Sequence, residues 1–246
     1  MFKSVKRILV LTKRNLKEIL RDPLSLIFML GLPLLMEILF YFIFHKLTSQ
    51  FEMKYLAPGI VVFSQAFLTL FTGLLIALDR NSSFLTRLYV TEAKSFEFIF
   101  GYTLAILPLT LVQSILFFLA GVIIDSSIFM VSIIPTILLS ILTSLLFIGF
   151  GILFGSLCNE KSIGGVSSMV IVGQSVLSGM WFPIEGLSEG FMKAMEVLPF
   201  RNATILLQNS LNNSGELLKP ILIILGYTII VFVLAIICFR RKMISK

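Results

Sequence analysis

Nowhere in the chain is a glycine followed by a lysine. The phosphate-cradling loop Gly-x-x-x-x-Gly-Lys-Ser/Thr is therefore missing, and the chain does not carry the nucleotide site of a P-loop ATPase. Histidine is almost absent too. His45 stands alone, with no second histidine or paired cysteine to complete a metal site or an acid–base pair, which argues against an enzyme. The two cysteines, Cys158 and Cys238, are far apart and in no metal-ligand spacing, so they read as unpaired packing residues. Charge is scarce. Only 13% of residues are Asp, Glu, Lys or Arg, about half the share of a soluble globular chain. The net charge of +7 does not indicate nucleic acid, because the basic residues gather at the two ends and in one short loop and form no groove interleaved with aromatics.

What the chain has instead is apolar length: 57% of its residues are hydrophobic, and the mean hydropathy is +1.02. A helix needs about 20 mostly apolar residues to cross a hydrocarbon core of about 30 Å, and such runs recur. They predict an all-α integral membrane protein, a bundle of six transmembrane helices at about residues 24–44, 59–78, 101–124, 133–157, 166–182 and 221–239. Residues 23–246 then form one membrane domain, and residues 1–22 a separate element. In that opening segment Val5, Ile8, Leu9, Leu16, Ile19 and Leu20 recur near helical spacing among seven Lys and Arg, the pattern of an amphipathic helix lying on the membrane. Its longest apolar run, Ile8 to Leu11, is too short for the core of a signal peptide. Asp22-Pro23 ends it, since proline disfavours a helical residue before itself and suits the first position of the next helix.

The basic residues set the orientation. With both termini inside, the inner side holds fifteen Lys and Arg and the outer side five, namely Lys46, Lys54, Lys193, Arg201 and Lys219. Both termini are therefore expected in the cytoplasm and the chain in the cell membrane. Two connections exceed simple turns. The first, residues 79–100, is cytoplasmic and sets Phe84, Leu85, Leu88 and Tyr89 among charged residues, giving it an apolar side that a solvated loop does not need. It predicts a short docking helix parallel to the membrane. The second, residues 183–219, is external. Phe191, Met192, Met195, Val197 and Leu198 are too few to span and too apolar for a solvated loop, so a short helix dipping into the outer leaflet is expected.

Three stretches resemble the membrane subunits of type-2 ATP-binding-cassette exporters, which include bacterial drug, antibiotic and polysaccharide permeases. They are the basic helix leading through RDPLSLIFMLGLPLLMEILF, the unit YLAPGIVVFSQAF with the loop LDRNSSFLTRLYVTEAKSFEFIFGY, and LSGMWFPIEGLSEGFMKAMEVLPFRNATILLQNSL. The resemblance covers nearly the whole chain. It implies that the first connection is a coupling helix docked on a cytoplasmic ATPase through Phe84, Leu85, Arg87, Leu88 and Tyr89, and that the external segment forms re-entrant helices. Ser82 or Ser83 stands where the family's loop has a glycine, and Glu92 near where it has a proline. The resemblance further implies two ATPase copies that bind ATP and Mg, a second permease, identical or related, and no cofactor in this chain. Its substrate would be a hydrophobic or amphipathic molecule moved outward.

The family places its pathway between the second and fifth spans of two subunits. Here Gln65, Thr69 and Thr72 form one polar stripe on the second span, and Ser167, Gln174 and Ser178 another on the fifth. Two readings stand: pathway lining, or hydrogen bonds between helices. Glu37, near the middle of the first span, is either a substrate-cation or proton contact on the pathway or a packing residue kept neutral, and as a proton or cation site it would suit an ion-driven carrier or channel. Met180, Trp181 and Phe182 at the end of the fifth span are an outer gate for bulky apolar substrates or an interfacial anchor, the latter fitting Trp181 best. Gly151-x-x-x-Gly155 reads as close helix packing.

Overall fold

The computed structural model describes residues 2–82, 94–129, 131–182, 184 and 187–244. Among them all regular structure is helical. Five helices are long and apolar enough to cross a membrane.

Helix α1 (Phe2–Leu20) is the amphipathic opening element and packs across the first turns of a later span, α4 (Ser95–Ile124). Gly101 permits the approach, because a Cβ there would lie 2.8 Å from Leu11 Cβ. Asp22 caps α2 (Pro23–Phe44) by accepting from the Ser25 amide at 3.2 Å, with Pro23 at the first helical position. Residues Ile27–Gly31 of α2 form a π turn. Pro33, two residues after the turn, has no N–H for the Met29 carbonyl, so the regular ladder is interrupted where the turn widens.

The bundle is built around α3 (Met53–Asn81), buried along most of its length. Against it lie α4, α5 (Ile133–Leu157) and α6 (Glu160–Leu177). The α3–α5 crossing is close enough to require glycine. A Cβ at Gly151 would lie 2.5 Å from Thr72 Cβ, and one at Gly155 would lie 2.7 Å from the Gly73 carbonyl oxygen. The Gly151-x-x-x-Gly155 pair is thus a packing device, as its spacing indicates. The last span, α9 (Leu218–Ile244), covers α5, with Phe232 against Gly149.

The segment after the fifth predicted span holds two helices, α7 (Glu189–Val197) and α8 (Pro199–Asn212), where a single short one was expected from hydropathy. Helix α8 packs beneath the first turns of α3. Pro58 inside α3 cannot donate to the Lys54 carbonyl, and Asn212 Nδ2 supplies that bond at 3.0 Å. Gln208 Nε2 donates to the neighbouring Tyr55 carbonyl at 3.0 Å.

One sequence boundary needs correction. The expected span at 166–182 is the helix Glu160–Leu177, 18 residues long, and it is not among the five most apolar helices. Glu160, Lys161 and several Gly, Ser and Gln residues dilute its hydropathy. It ends before Gly179, whose φ of 72° leaves the helical region, so Met180, Trp181 and Phe182 lie beyond it and do not close it.

The chain's ends meet at one end of the bundle. Phe239 of α9 lies against Phe98 of α4 at 5.9 Å between ring centroids, and α1 packs on the same turns of α4. If the α3–α5 crossing holds the bundle together, Gly155→Ala should force the α3 backbone aside and cost about 1–3 kcal/mol. The check is the thermal unfolding midpoint in mild detergent. Gly190→Ala, where a Cβ meets nothing within 4 Å, should leave that midpoint unchanged or raise it slightly.

Candidate functional site

The connection between α3 and α4 is anchored at both described ends. On the α3 side, Asp79 is 4% exposed. It accepts from Arg14 of α1 in a short charge-assisted contact and from the Tyr102 hydroxyl of α4 at 2.7 Å. Burial opposes the charge on Arg14, but the hydrogen bond and charge of Asp79 outweigh it and raise the Arg14 pKa above its ordinary value. Arg14 also donates to Asn15 Oδ1 at 3.0 Å.

The next residue, Arg80, turns to α5. Its Nη1 lies 2.8 Å from the Gly155 and Ser156 carbonyl oxygens and 3.0 Å from that of Cys158. These are orphan carbonyls at a helix C-terminus, where a cation also complements the helix dipole. Asn81 Nδ2 reaches Glu160 of α6 at 3.2 Å.

On the α4 side, the buried Glu97 accepts from the Ser4 hydroxyl and lies 3.7 Å from Arg7 Nε, both on α1. It also accepts from the Lys94 amide at 3.3 Å, closing the first turn of α4. Helix α1 therefore holds both ends of the connection, and Asp79, Arg80 and Asn81 link it to α4, α5 and α6. The five residues expected to dock, Phe84, Leu85, Arg87, Leu88 and Tyr89, lie outside the described residues.

The polar stripes turn largely inward. Gln65 Nε2 donates to the Ser140 carbonyl at 2.9 Å, and Gln65 Oε1 accepts from Thr143 at 2.6 Å. Thr69 donates to the Phe147 carbonyl at 3.1 Å. Both thus bind α3 to α5. On α6, Gln174 Nε2 donates to Thr204 of α8 at 3.1 Å, and Ser178 donates to the Ser175 carbonyl at 3.3 Å. The hydroxyls of Thr72 and Ser167 are buried without a hydrogen-bond partner among the described residues, as is Gln174 Oε1. Glu37 is fully buried on α2, and neither carboxyl oxygen has a partner among the described residues.

At the opposite end of the bundle Trp181 enters an aromatic cluster. Its ring lies 4.8 Å from Phe40, 5.7 Å from Phe63 and 6.4 Å from Phe51, and its Nε1 donates to Ser175 at 2.8 Å. Met180 packs against Gly59, and Phe182 is half-buried. The cluster joins α2, the chain before α3, and α3 to the segment after α6.

The Arg14–Asp79–Tyr102 set and the Arg80 cap are not legible from hydropathy. The available signal is the adjacent Asp-Arg pair at a span end, an acid at a depth where only a cation and a hydroxyl make it tolerable. Arg14→Ala should leave the buried Asp79 without its cationic partner and lower stability by about 1–3 kcal/mol. Arg14→Lys should recover only part, because an ammonium lacks the planar fork of the guanidinium. Unfolding midpoints of the two variants in detergent test this order.

A search of curated proteins found no match to the chain. The family profile of the ABC-2 type transporter matches residues 6–211, far more than half of the length. With its several apolar helices, the chain belongs to the ABC-2 type transporter membrane family and is a multi-pass permease component that is not itself catalytic.

Proposed function

We propose that the chain is the permease half of an ATP-driven exporter in the cell membrane, with both termini in the cytoplasm. Two permeases, identical or related, pair with two cytoplasmic ATPases that bind ATP and Mg. Helix α6 is counted as a sixth span, and α7 and α8 as re-entrant helices in the outer leaflet. The cargo is a hydrophobic or amphipathic molecule moved outward between α3 and α6.

The observation that carries this reading is the anchoring of the α3–α4 connection. A loop that serves only as a linker needs no buried carboxylate at each end, yet Asp79 and Glu97 are both held by α1. In this reading ATP-driven closure displaces the connection, and Asp79, Arg80 and Asn81 carry the displacement into α3, α5 and α6. Changing Phe84, Leu85 and Leu88 together to Ala should reduce transport in vesicles on the order of tenfold or more while the ATPase still hydrolyses ATP. Undiminished coupling would remove the docking role.

A second reading rests on Glu37, whose fully buried carboxyl has no hydrogen-bond partner among the described residues. It makes the protein an ion-gradient-driven carrier. Glu37→Gln then abolishes transport and flux stops when the gradient collapses, whereas the exporter keeps ATP-dependent flux in both tests.

A further inference from the structure

A cavity of about 270 Å³ opens between the end of α1, the start of α2 and the facing sides of α3 and α4. Its lining is divided. Glu18, Arg21, Asp22 and Ser25 contribute from the chain's turn between α1 and α2, while Met29, Phe71, Leu75 and Leu109 are among the apolar side chains contributed by the spans. The polar part belongs to the end of the bundle that holds the chain termini.

Three further observations bear on an occupant. The cavity wall includes Leu26 and Met29, at and within the π turn of α2, and such turns widen a helix where a ligand or a side chain needs room. Thr72 also lines it, and its buried hydroxyl has no partner among the described residues, while its methyl side lies against Gly151. An unmade hydrogen bond in hydrocarbon calls for a polar atom on whatever fills the space. The polar end is lined by two carboxylates, Glu18 and Asp22, and the Arg21 guanidinium, and Glu18 also interacts with the charge of Arg14 on the same helix. The Ser25 hydroxyl and amide hold Asp22 below the usual carboxylate range, so it is charged at neutral pH.

Drug-sized ligands occupy pockets of about 300–1,000 Å³, so this one has the capacity of a single chain and not of a two-chain lipid lodged whole. We propose that the cavity binds a single-chain cationic amphiphile, its ammonium head among Glu18, Asp22 and Ser25, its chain against Met29, Leu75 and Leu109, and an ester or amide oxygen near Thr72. The turn between a surface-lying helix and the first span gives such a molecule access from the cytoplasmic leaflet. In the exporter this would be the cargo's point of entry, a clause that rests on the proposed function; the binding itself does not.

The test uses the full chain in phosphatidylcholine nanodiscs, without ATPase, and labelled lauroylcholine, with empty nanodiscs subtracted and dodecyl sulfate as the anionic competitor. Saturable binding at one molecule per chain is expected, with dodecyl sulfate competing at least about tenfold more weakly than unlabelled lauroylcholine. Leu75→Trp, which fills the cavity, should abolish the binding. Thr72→Val and Glu18→Gln should each weaken it by up to about fivefold with the unfolding midpoint unchanged, and these two decide the matter if Leu75→Trp does not fold. Absence of saturable binding, equal competition by the sulfate, or unaltered affinity in both Thr72→Val and Glu18→Gln overturns the proposal. Binding without ATP-driven flux would sink the exporter reading and leave the site standing; flux without binding would do the reverse.

Discussion

Helices in lipid gain nothing from the hydrophobic effect by touching each other, since a hydrocarbon tail is as apolar as leucine. What holds them is close van der Waals contact and the hydrogen bonds that such contact allows. The crossing of α3 over α5 meets both conditions. Gly73, Gly151 and Gly155 bring the two backbones to a distance that no side chain would tolerate. The approach then puts Gln65 and Thr69 within reach of α5 carbonyls. The glycines come first in this chain of causes, because without them the polar groups of α3 would face hydrocarbon with nothing to bond.

The same logic, with charge added, governs the end of the bundle that carries the α3–α4 connection. A carboxylate such as Asp79 is costly at a membrane edge unless it is paired, and the pairing comes from a helix that does not span. Helix α1 therefore has two parts to play. Its apolar side rests on α4 at Gly101, and its Arg14, Arg7 and Ser4 neutralise or satisfy acids belonging to two different spans. Arg80 extends the arrangement to α5 by occupying three terminal carbonyls. The result is a collar of hydrogen bonds at the two described ends of the connection, tying α1 to α3, α4 and α5.

Much of this architecture could be read from the residues, because hydropathy and charge are long-range averages that survive the lack of any structural detail. The five strongly apolar helices, the amphipathic opening helix and the gathering of the termini at one end all follow from such averages. The fifth apolar stretch, read at 166–182, lies several residues beyond the helix Glu160–Leu177, because Gly179, not the fall in hydropathy at Pro183, ends the helix. Polar side chains were harder. A stripe at helical spacing shows that Gln65, Thr69 and Thr72 share a face, but not which neighbour that face meets; the structure gives two of them to α5. The Asp79 cluster was out of reach for a different reason: its members come from three helices, at sequence separations that no local pattern encodes.

The bond from Asn212 to the Lys54 carbonyl carries an implication for motion. Proline in a span usually makes a flexible joint, because the carbonyl one turn earlier is left to find its own partner. At Pro58 that partner is fixed on another helix, so the joint is locked from outside. Any bending of α3 at this point must drag α8 along or break the bond that Asn212 makes to the Lys54 carbonyl. Helix α8 is thereby a latch on the first turns of α3, and whatever moves α8 acquires a mechanical hold on the core of the bundle.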